Sequence, residues 1–127
     1  MRAIRPSRPI ALVLFALLAG CATPPPPEPG SAASKIVVMG KFKGIAVGAI
    51  RVARENGFLT AKVQLSNITS SNQMMYYRFA WLGADGFPVG DEETWKVLPL
   101  YANQATFLPA IANLPQAADF RLEVKTP

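Results

Sequence analysis

The side chains that most often carry enzymatic chemistry are scarce in this sequence of 127 residues. It contains no histidine, so the commonest general base and the commonest metal ligand are both missing. The single cysteine, Cys21, rules out an intramolecular disulfide. Composition therefore excludes a Ser-His-Asp triad, a Cys-His pair and a histidine-containing zinc site, and we expect neither a metal nor another cofactor.

The only acidic cluster is Asp91-Glu92-Glu93. Paired carboxylates can act as a general acid and base, or as ligands of a weak calcium site. A hydrolase that uses this cluster is one hypothesis, and a pocket gathering it with Asp85 or Asp119 would favour it. Because the side chains of three adjacent residues point in different directions, we expect a solvated loop instead.

Arg78 and Arg121 are the polar residues with most binding potential, because each alternates with apolar neighbours and should lie on the outer face of a strand. An outward arginine can bind a carboxylate partner through two parallel hydrogen bonds. The structural alternative is a cross-strand pair with Asp119 or Glu123, or a stem lying over Tyr76. We expect this structural role.

Trp95 and Tyr101 are candidates for an aromatic patch that contacts peptide or glycan. The alternative is that they fill the core or its rim. Together with Arg78 and Arg121 they make up the candidate partner-binding surface.

The amino-terminal residues have the composition of an export signal. Arg2, Arg5 and Arg8 precede the apolar residues 10–18, and Cys21 follows shortly after. Counted through residue 20 this run is eleven residues, or about 16 Å as a helix, against a bilayer core of about 30 Å. It is too short for a stable transmembrane span and has the length of a signal-peptide core.

The run Leu18-Ala19-Gly20-Cys21 resembles the lipobox of bacterial lipoproteins. The resemblance implies cleavage before Cys21 and acylation of its thiol and amino group, which would anchor the chain firmly because several acyl chains are attached. Ala22 stands where Asp would retain a lipoprotein in the inner membrane, which implies the outer membrane, facing the periplasm. The alternatives are a non-lipidated secretory signal and an amino-terminal transmembrane anchor.

Residues 1–20 are thus predicted to be a signal peptide, 21–34 a lipidated cysteine with a linker, and 35–127 one folded domain. Residues 22–34 include four consecutive prolines, which favour polyproline II and a reach of about 40 Å. Cleavage would reduce Lys+Arg from 13 to 10 against 8 Asp+Glu, a formal charge of +2 rather than +5. The basic residues of the domain are spread along the chain, so we do not expect it to bind nucleic acid.

Short strands separated by turns follow residue 35. Residues 36–39 form an apolar run, residues 44–52 a weak strand or irregular edge, and Arg54-Glu55-Asn56-Gly57 a turn. Residues 59–66 alternate with period two, as do residues 75–82, and we expect these two strands to pair as an antiparallel hairpin.

The second half of the domain continues the pattern. Strands are predicted over residues 95–98, with Pro99 ending the strand or placing it at an edge, and over residues 104–108, stopped by Pro109. A last strand alternates through residues 120–125. The fold class is therefore all-β: an antiparallel, Ig-like β-sandwich of six or seven strands, with an open barrel as the alternative.

Within this pattern, one loop, one strand and one turn carry a distinctive set of residues. The set is an Asn-rich loop, then Tyr77, Arg78, Phe79 and Trp81, then Asp85 and Gly86, with Trp95 and a closing Phe120-Arg121-Leu122. It resembles the YcfL family of small bacterial envelope lipoproteins. The resemblance covers about residues 58–124, together with the lipobox and the tail that follows it. Leu82-Gly83 stands where the family often has an acidic residue.

The resemblance implies an outer-membrane β-sandwich lipoprotein with no assigned catalytic activity, often encoded near lipoproteins that act on cell-wall synthesis. We therefore expect a non-enzymatic binding or accessory module that supports another envelope protein, with support of cell-wall assembly as one hypothesis. The alternatives are a periplasmic cell-wall-modifying hydrolase and a purely structural lipoprotein.

Overall fold

The computed structural model describes Ala3 and residues 32–127. The predicted signal peptide, the lipidation site Cys21 and nearly all of the linker lie outside these residues. The described part is built from strands, with one 3-10 turn over Ala32–Lys35 and no helix that is long and apolar enough to cross a membrane. The strands are β1 Ile36–Val38, β2 Ile45–Glu55, β3 Phe58–Asn67, β4 Gln73–Leu82, β5 Lys96–Leu100, β6 Ala105–Ile111 and β7 Asp119–Lys125.

The strands form two sheets with a core between them. The four-stranded sheet has the order β1-β7-β4-β5, and the three-stranded sheet has the order β2-β3-β6. All pairs are antiparallel except β1 with β7. The predicted all-β sandwich of six or seven strands is confirmed, with seven strands in the described residues.

The turn between β2 and β3 is dictated by its sequence. Asn56 and Gly57 both have positive φ, 51° and 83°, as the tightest hairpin turn with the right twist requires. The turn predicted at this point is confirmed. β2 is also the irregular edge strand that was predicted, because its pairing with β3 shifts register between Val47 and Ile50.

The predicted hairpin of β3 with β4 is wrong. β3 pairs with β2 and β6, whereas β4 pairs with β5 and β7 in the other sheet. The chain crosses between the sheets after Asn67, so the apolar faces of β3 and β4 lie on opposite sides of the core instead of side by side. Alternation of apolar and polar residues shows which face of a strand is buried, but it does not show which strand lies beside it. The pattern of β3 and β4 therefore could not show that they belong to different sheets.

Asn67 holds the crossing loop in place. Its side chain is 2% exposed, and its amide donates to the carbonyls of Ser71, Leu100 and Tyr101 at 2.8–3.0 Å. Its oxygen accepts from the N–H and the hydroxyl of Thr69 at 2.9 and 2.7 Å. One buried amide thus satisfies backbone groups of two loops, as buried polar groups must be satisfied.

Both proline-containing strands lie at sheet edges. Pro99 is inside β5, as predicted for an edge strand, although β5 begins at Lys96 and not at Trp95. The prediction that Pro109 stops its strand is wrong, because β6 continues through it to Ile111. β6 is hydrogen-bonded only to β3, so the absent N–H of a proline costs no ladder bond if it points away from that neighbour.

The core beneath the four-stranded sheet is aromatic. Phe79 and Trp81 stack with ring centroids 5.4 Å apart, and Phe120 lies 5.7 and 6.1 Å from them. All three are nearly or fully buried. The alternation predicted for β4 and β7 is confirmed, and it places the intervening residues, Arg78 and Glu123 among them, on the outer face.

Candidate functional site

The outer face of the four-stranded sheet carries a cluster of cations and aromatic rings. β4 supplies Tyr76 and Arg78, β7 supplies Glu123 and Lys125, and Trp95 precedes β5. We call these five residues the cation–aromatic cluster. Arg78 lies directly opposite Glu123, and Tyr76 opposite Lys125, because β4 and β7 are antiparallel neighbours.

Arg78 is bound on two sides within the protein. It forms ion pairs with Glu123 and with Glu92, and its own side chain is only 16% exposed. The hydrogen bond to Glu123 raises the pKa of the Arg78 guanidinium, so this group keeps its charge at every physiological pH. The cross-strand pair with Glu123, the structural role expected for Arg78, is observed.

Trp95 lies beneath two cations. The guanidinium carbon of Arg78 is 4.5 Å from its ring centroid, and Nζ of Lys125 is 4.2 Å from it. The same Lys125 nitrogen is 5.9 Å from the ring of Tyr76. Both distances to Trp95 are within the range of cation–π attraction, which favours this position of the partly exposed indole.

Arg121 and Tyr101 do not join this cluster. Arg121 pairs with Asp119 at 3.3 Å, two residues along the same strand. Tyr101 is 62% exposed and follows β5, whereas Trp95 precedes it, so the two residues flank opposite ends of a strand about 17 Å long. The structure therefore brings together only Arg78 and Trp95 of the four candidate partner-binding residues.

Asp119 stabilises a separate junction at the start of β7. It forms ion pairs with Lys35 and Arg121, and its side chain accepts the N–H of Phe120 at 2.8 Å. Burial alone would raise the pKa of this carboxyl, but the hydrogen bonds from Lys35 and Phe120 outweigh burial and lower it. The group is ionised at neutral pH.

The three residues of the acidic cluster point to three different places. Glu92 pairs with Arg78, and Asp91 is exposed without a polar partner among the described residues. Glu93 accepts from the N–H of Phe79 at 3.2 Å and from the indole N–H of Trp81 at 3.3 Å. The pairing of β4 with β5 ends at Tyr77, and Glu93 accepts the backbone N–H of Phe79 just beyond that point. This role of Glu93 was not predicted from the sequence.

The pocket that would have favoured a hydrolase has a different composition. A cavity of about 290 Å³ beside Arg78 and Trp81 is lined by Asp91, Glu92 and Glu123, but the last two carboxylates are both bound to Arg78. Asp85 accepts the N–H of Phe87 in its own turn, and Asp119 pairs at the start of β7. In residues 32–127 no group of three potential ligand side chains is arranged to hold a metal ion.

Sequence reasoning overlooked Lys125 as part of the site. Its signal was present, because Lys125 shares the outward-facing positions of the last strand with Arg121 and Glu123. What was missing was the pairing of β7 with β4, which sets these positions beside Arg78 and Trp95.

Comparison with known proteins agrees with the fold. A crystal structure of cj0090 from Campylobacter jejuni superposes with a TM-score of 0.64 and 28% identity over 73% of this chain and 98% of that one. A crystal structure of a DUF1425 family member from Shewanella sp. pv-4 superposes with a TM-score of 0.61 and 29% identity over 72% of this chain and 86% of that one. No curated protein matches the sequence significantly.

The sequence itself identifies the family. Residues 35–126 match the family described as Protein of unknown function (DUF1425). The match spans the whole sandwich, including the strands before Phe58, where the earlier resemblance did not reach. The chain belongs to the DUF1425 family.

Proposed function

We propose that this protein is a lipid-anchored accessory module of the bacterial outer membrane, facing the periplasm and similar to the YcfL lipoproteins. In this role it binds or supports another envelope protein and catalyses no reaction. The observation that carries the proposal is the order of parts in the chain. An apolar run ends in Leu18-Ala19-Gly20-Cys21, a proline-rich linker follows, and the sandwich begins at Ile36.

The side-chain chemistry of the sandwich supports a non-enzymatic role. The carboxylates of Glu92 and Glu123 both form ion pairs with Arg78, and that of Glu93 accepts hydrogen bonds from β4. A general acid or base must be free to exchange a proton with a substrate. The cation–aromatic cluster instead offers a preformed surface that suits contact with a partner, with the Trp95 ring in contact with Arg78 and Lys125.

The anchor is tested on the protein made in a bacterium with two membranes. Metabolic labelling with palmitate should label the wild type and not Cys21→Ser, and fractionation should move the variant from the membrane to the soluble periplasm. Ala22→Asp should keep the label but shift the protein to the inner membrane. An unacylated wild type, shown by intact mass, would contradict the proposal.

The binding role is tested by photo-crosslinking in intact cells. A photoreactive residue replaces Trp95 in one strain and the exposed Asn113, in a loop away from the cluster, in another. We expect one envelope protein to crosslink reproducibly at the first position and not at the second. Equal background at both positions would argue for a purely structural lipoprotein or for a different binding face.

A further inference from the structure

The outer face of β6 has an unusual composition. Its four outward positions are Ala105, Phe107, Pro109 and Ile111, all apolar, whereas the inward Thr106 is polar. Phe107 is 56% exposed and Ile111 69% exposed. A strand with one wet face normally alternates the other way, with polar residues outward. A continuous row of exposed apolar side chains marks a binding surface more often than isolated ones do.

Pro109 and Ile111 of this row form one wall of a groove along β3, which we call the outer groove. Phe107 lines an adjoining cavity together with Arg51 and Lys62. β2 forms the other wall with Arg51, Ala53 and Glu55, and Thr60 and Lys62 of β3 lie on the floor. The groove has a volume of about 290 Å³. It lies on the three-stranded sheet, whereas the cation–aromatic cluster lies on the outer face of the other sheet.

Two cations in the outer groove oppose each other. Arg51 and Lys62 are directly opposite in the pairing of β2 with β3, so their side chains leave the sheet on the same face. Both are exposed, and within residues 32–127 neither has a carboxylate partner. Like charges directly opposite each other destabilise a sheet, whereas Arg78 and Arg121 are each paired with a carboxylate.

We propose that the outer groove binds an extended protein segment that carries a carboxylate flanked by apolar side chains. The carboxylate lies between Arg51 and Lys62, and the apolar side chains contact Phe107 and Ile111. This proposal builds on the binding role proposed above and names the partner's chemistry, but it does not depend on the lipid anchor.

The shape and charge of the groove favour this occupant over two others. A flat bilayer surface would not enter a groove whose floor lies at Thr60. A second copy of this chain, packed groove to groove, would bring its own Arg51 and Lys62 with only one carboxylate, Glu55. The excess of positive charge in the groove would therefore remain. A carboxylate of an acidic segment can form ion pairs with Arg51 and Lys62 together.

The test is selection of a random phage-displayed peptide library on the full chain purified in detergent. We expect enrichment of peptides with an acidic residue between apolar ones. A recovered peptide should bind at least about 3-fold more tightly than its Asp→Asn or Glu→Gln version, because each exposed ion pair contributes modestly. Arg51→Ala with Lys62→Ala, and separately Ile111→Ser, should weaken binding, while the matched control Lys41→Ala with Lys43→Ala should not.

A second readout separates binding from folding. Arg51→Glu places a negative charge opposite Lys62, so it should raise the melting temperature of the protein and still lower its affinity for the peptide. The proposal is overturned if the selected peptides are not enriched in acidic residues, or if they bind the Arg51→Ala, Lys62→Ala double variant as tightly as wild type. It is also overturned if only substitution of Trp95 weakens peptide binding, although that result would leave the proposed binding role standing. Binding to phosphatidylglycerol vesicles alone, or dimerisation that Ile111→Ser abolishes, would overturn it in favour of a membrane or a second copy.

Discussion

Replacing Asn67 by Ala should destabilise this protein more than replacing any other polar residue of the sandwich. The change removes the donor to the Leu100 carbonyl and the acceptor for the Thr69 N–H, at a site only 2% exposed. The carbonyls of Ser71 and Tyr101 each keep a second donor. The loss of two buried hydrogen bonds at about 1–3 kcal/mol each gives an expected loss of about 2–6 kcal/mol.

The measurement is urea and thermal unfolding of the full chain in detergent, followed by tryptophan fluorescence, since Trp81 is buried and reports on the core. For a domain of this size a loss of 1 kcal/mol lowers the melting temperature by about 4–8 °C, so we expect a fall of about 10 °C or more. The control is Asn72→Ala. Asn72 is exposed and accepts one hydrogen bond, from the Ala102 N–H at 3.0 Å, and should cost about 1 kcal/mol or less.

Asn67→Asp gives the reasoning a second, pH-dependent test. An ionised carboxylate would face the carbonyls of Ser71, Leu100 and Tyr101, so burial and these dipoles raise the pKa of the introduced carboxyl in the folded state. Its penalty is present at neutral pH and is relieved as the pH falls, when the protonated group can donate again. If Asn67→Ala costs no more than the Asn72 control, or Asn67→Asp does not recover stability on acidification relative to wild type, the assigned role of Asn67 is wrong.

Three further predictions follow from the same structure. Phe120→Ala should cost about 3–5 kcal/mol because this ring is fully buried, whereas the exposed Phe107→Ala should change the free energy of unfolding by about 0.5 kcal/mol or less; equal losses by urea titration would contradict the core assignment. Gly57→Ala forces a side chain onto a φ of 83° and should cost about 1–2 kcal/mol, and a neutral result in thermal melts would mean that the turn has another geometry. The hydrogen bonds from Lys35 and Phe120 lower the pKa of Asp119, so its contribution to stability is complete at neutral pH and is lost as the pH falls through the folded-state pKa. The difference in melting temperature between wild type and Asp119→Asn should therefore be constant from about pH 7 to 5 and shrink below about pH 4. A difference that widens on acidification would refute this.

Part of the candidate site could be predicted from sequence because it depends on local pattern. The alternation of β4 and β7 placed Arg78 outward, and it identified Glu123 as a possible cross-strand partner. The neighbours Glu92 and Lys125 could not be assigned in this way. Glu92 reaches Arg78 from a loop 14 residues away, and Lys125 reaches Trp95 from another strand.

The sequence by itself determined the all-β class, the buried faces of the strongest strands and the Asn56-Gly57 turn. These features follow from a side-chain period of two and from the φ preferences of single residues, both of which are local. Only the tertiary structure decided that β3 and β4 belong to different sheets and that Arg78 forms ion pairs with two carboxylates. It also decided that Arg51 and Lys62 oppose each other with no carboxylate partner in the described residues. Strand partners are chosen through backbone hydrogen bonds that every sequence can form, so the choice depends on how the whole core closes and not on the pattern of any one strand.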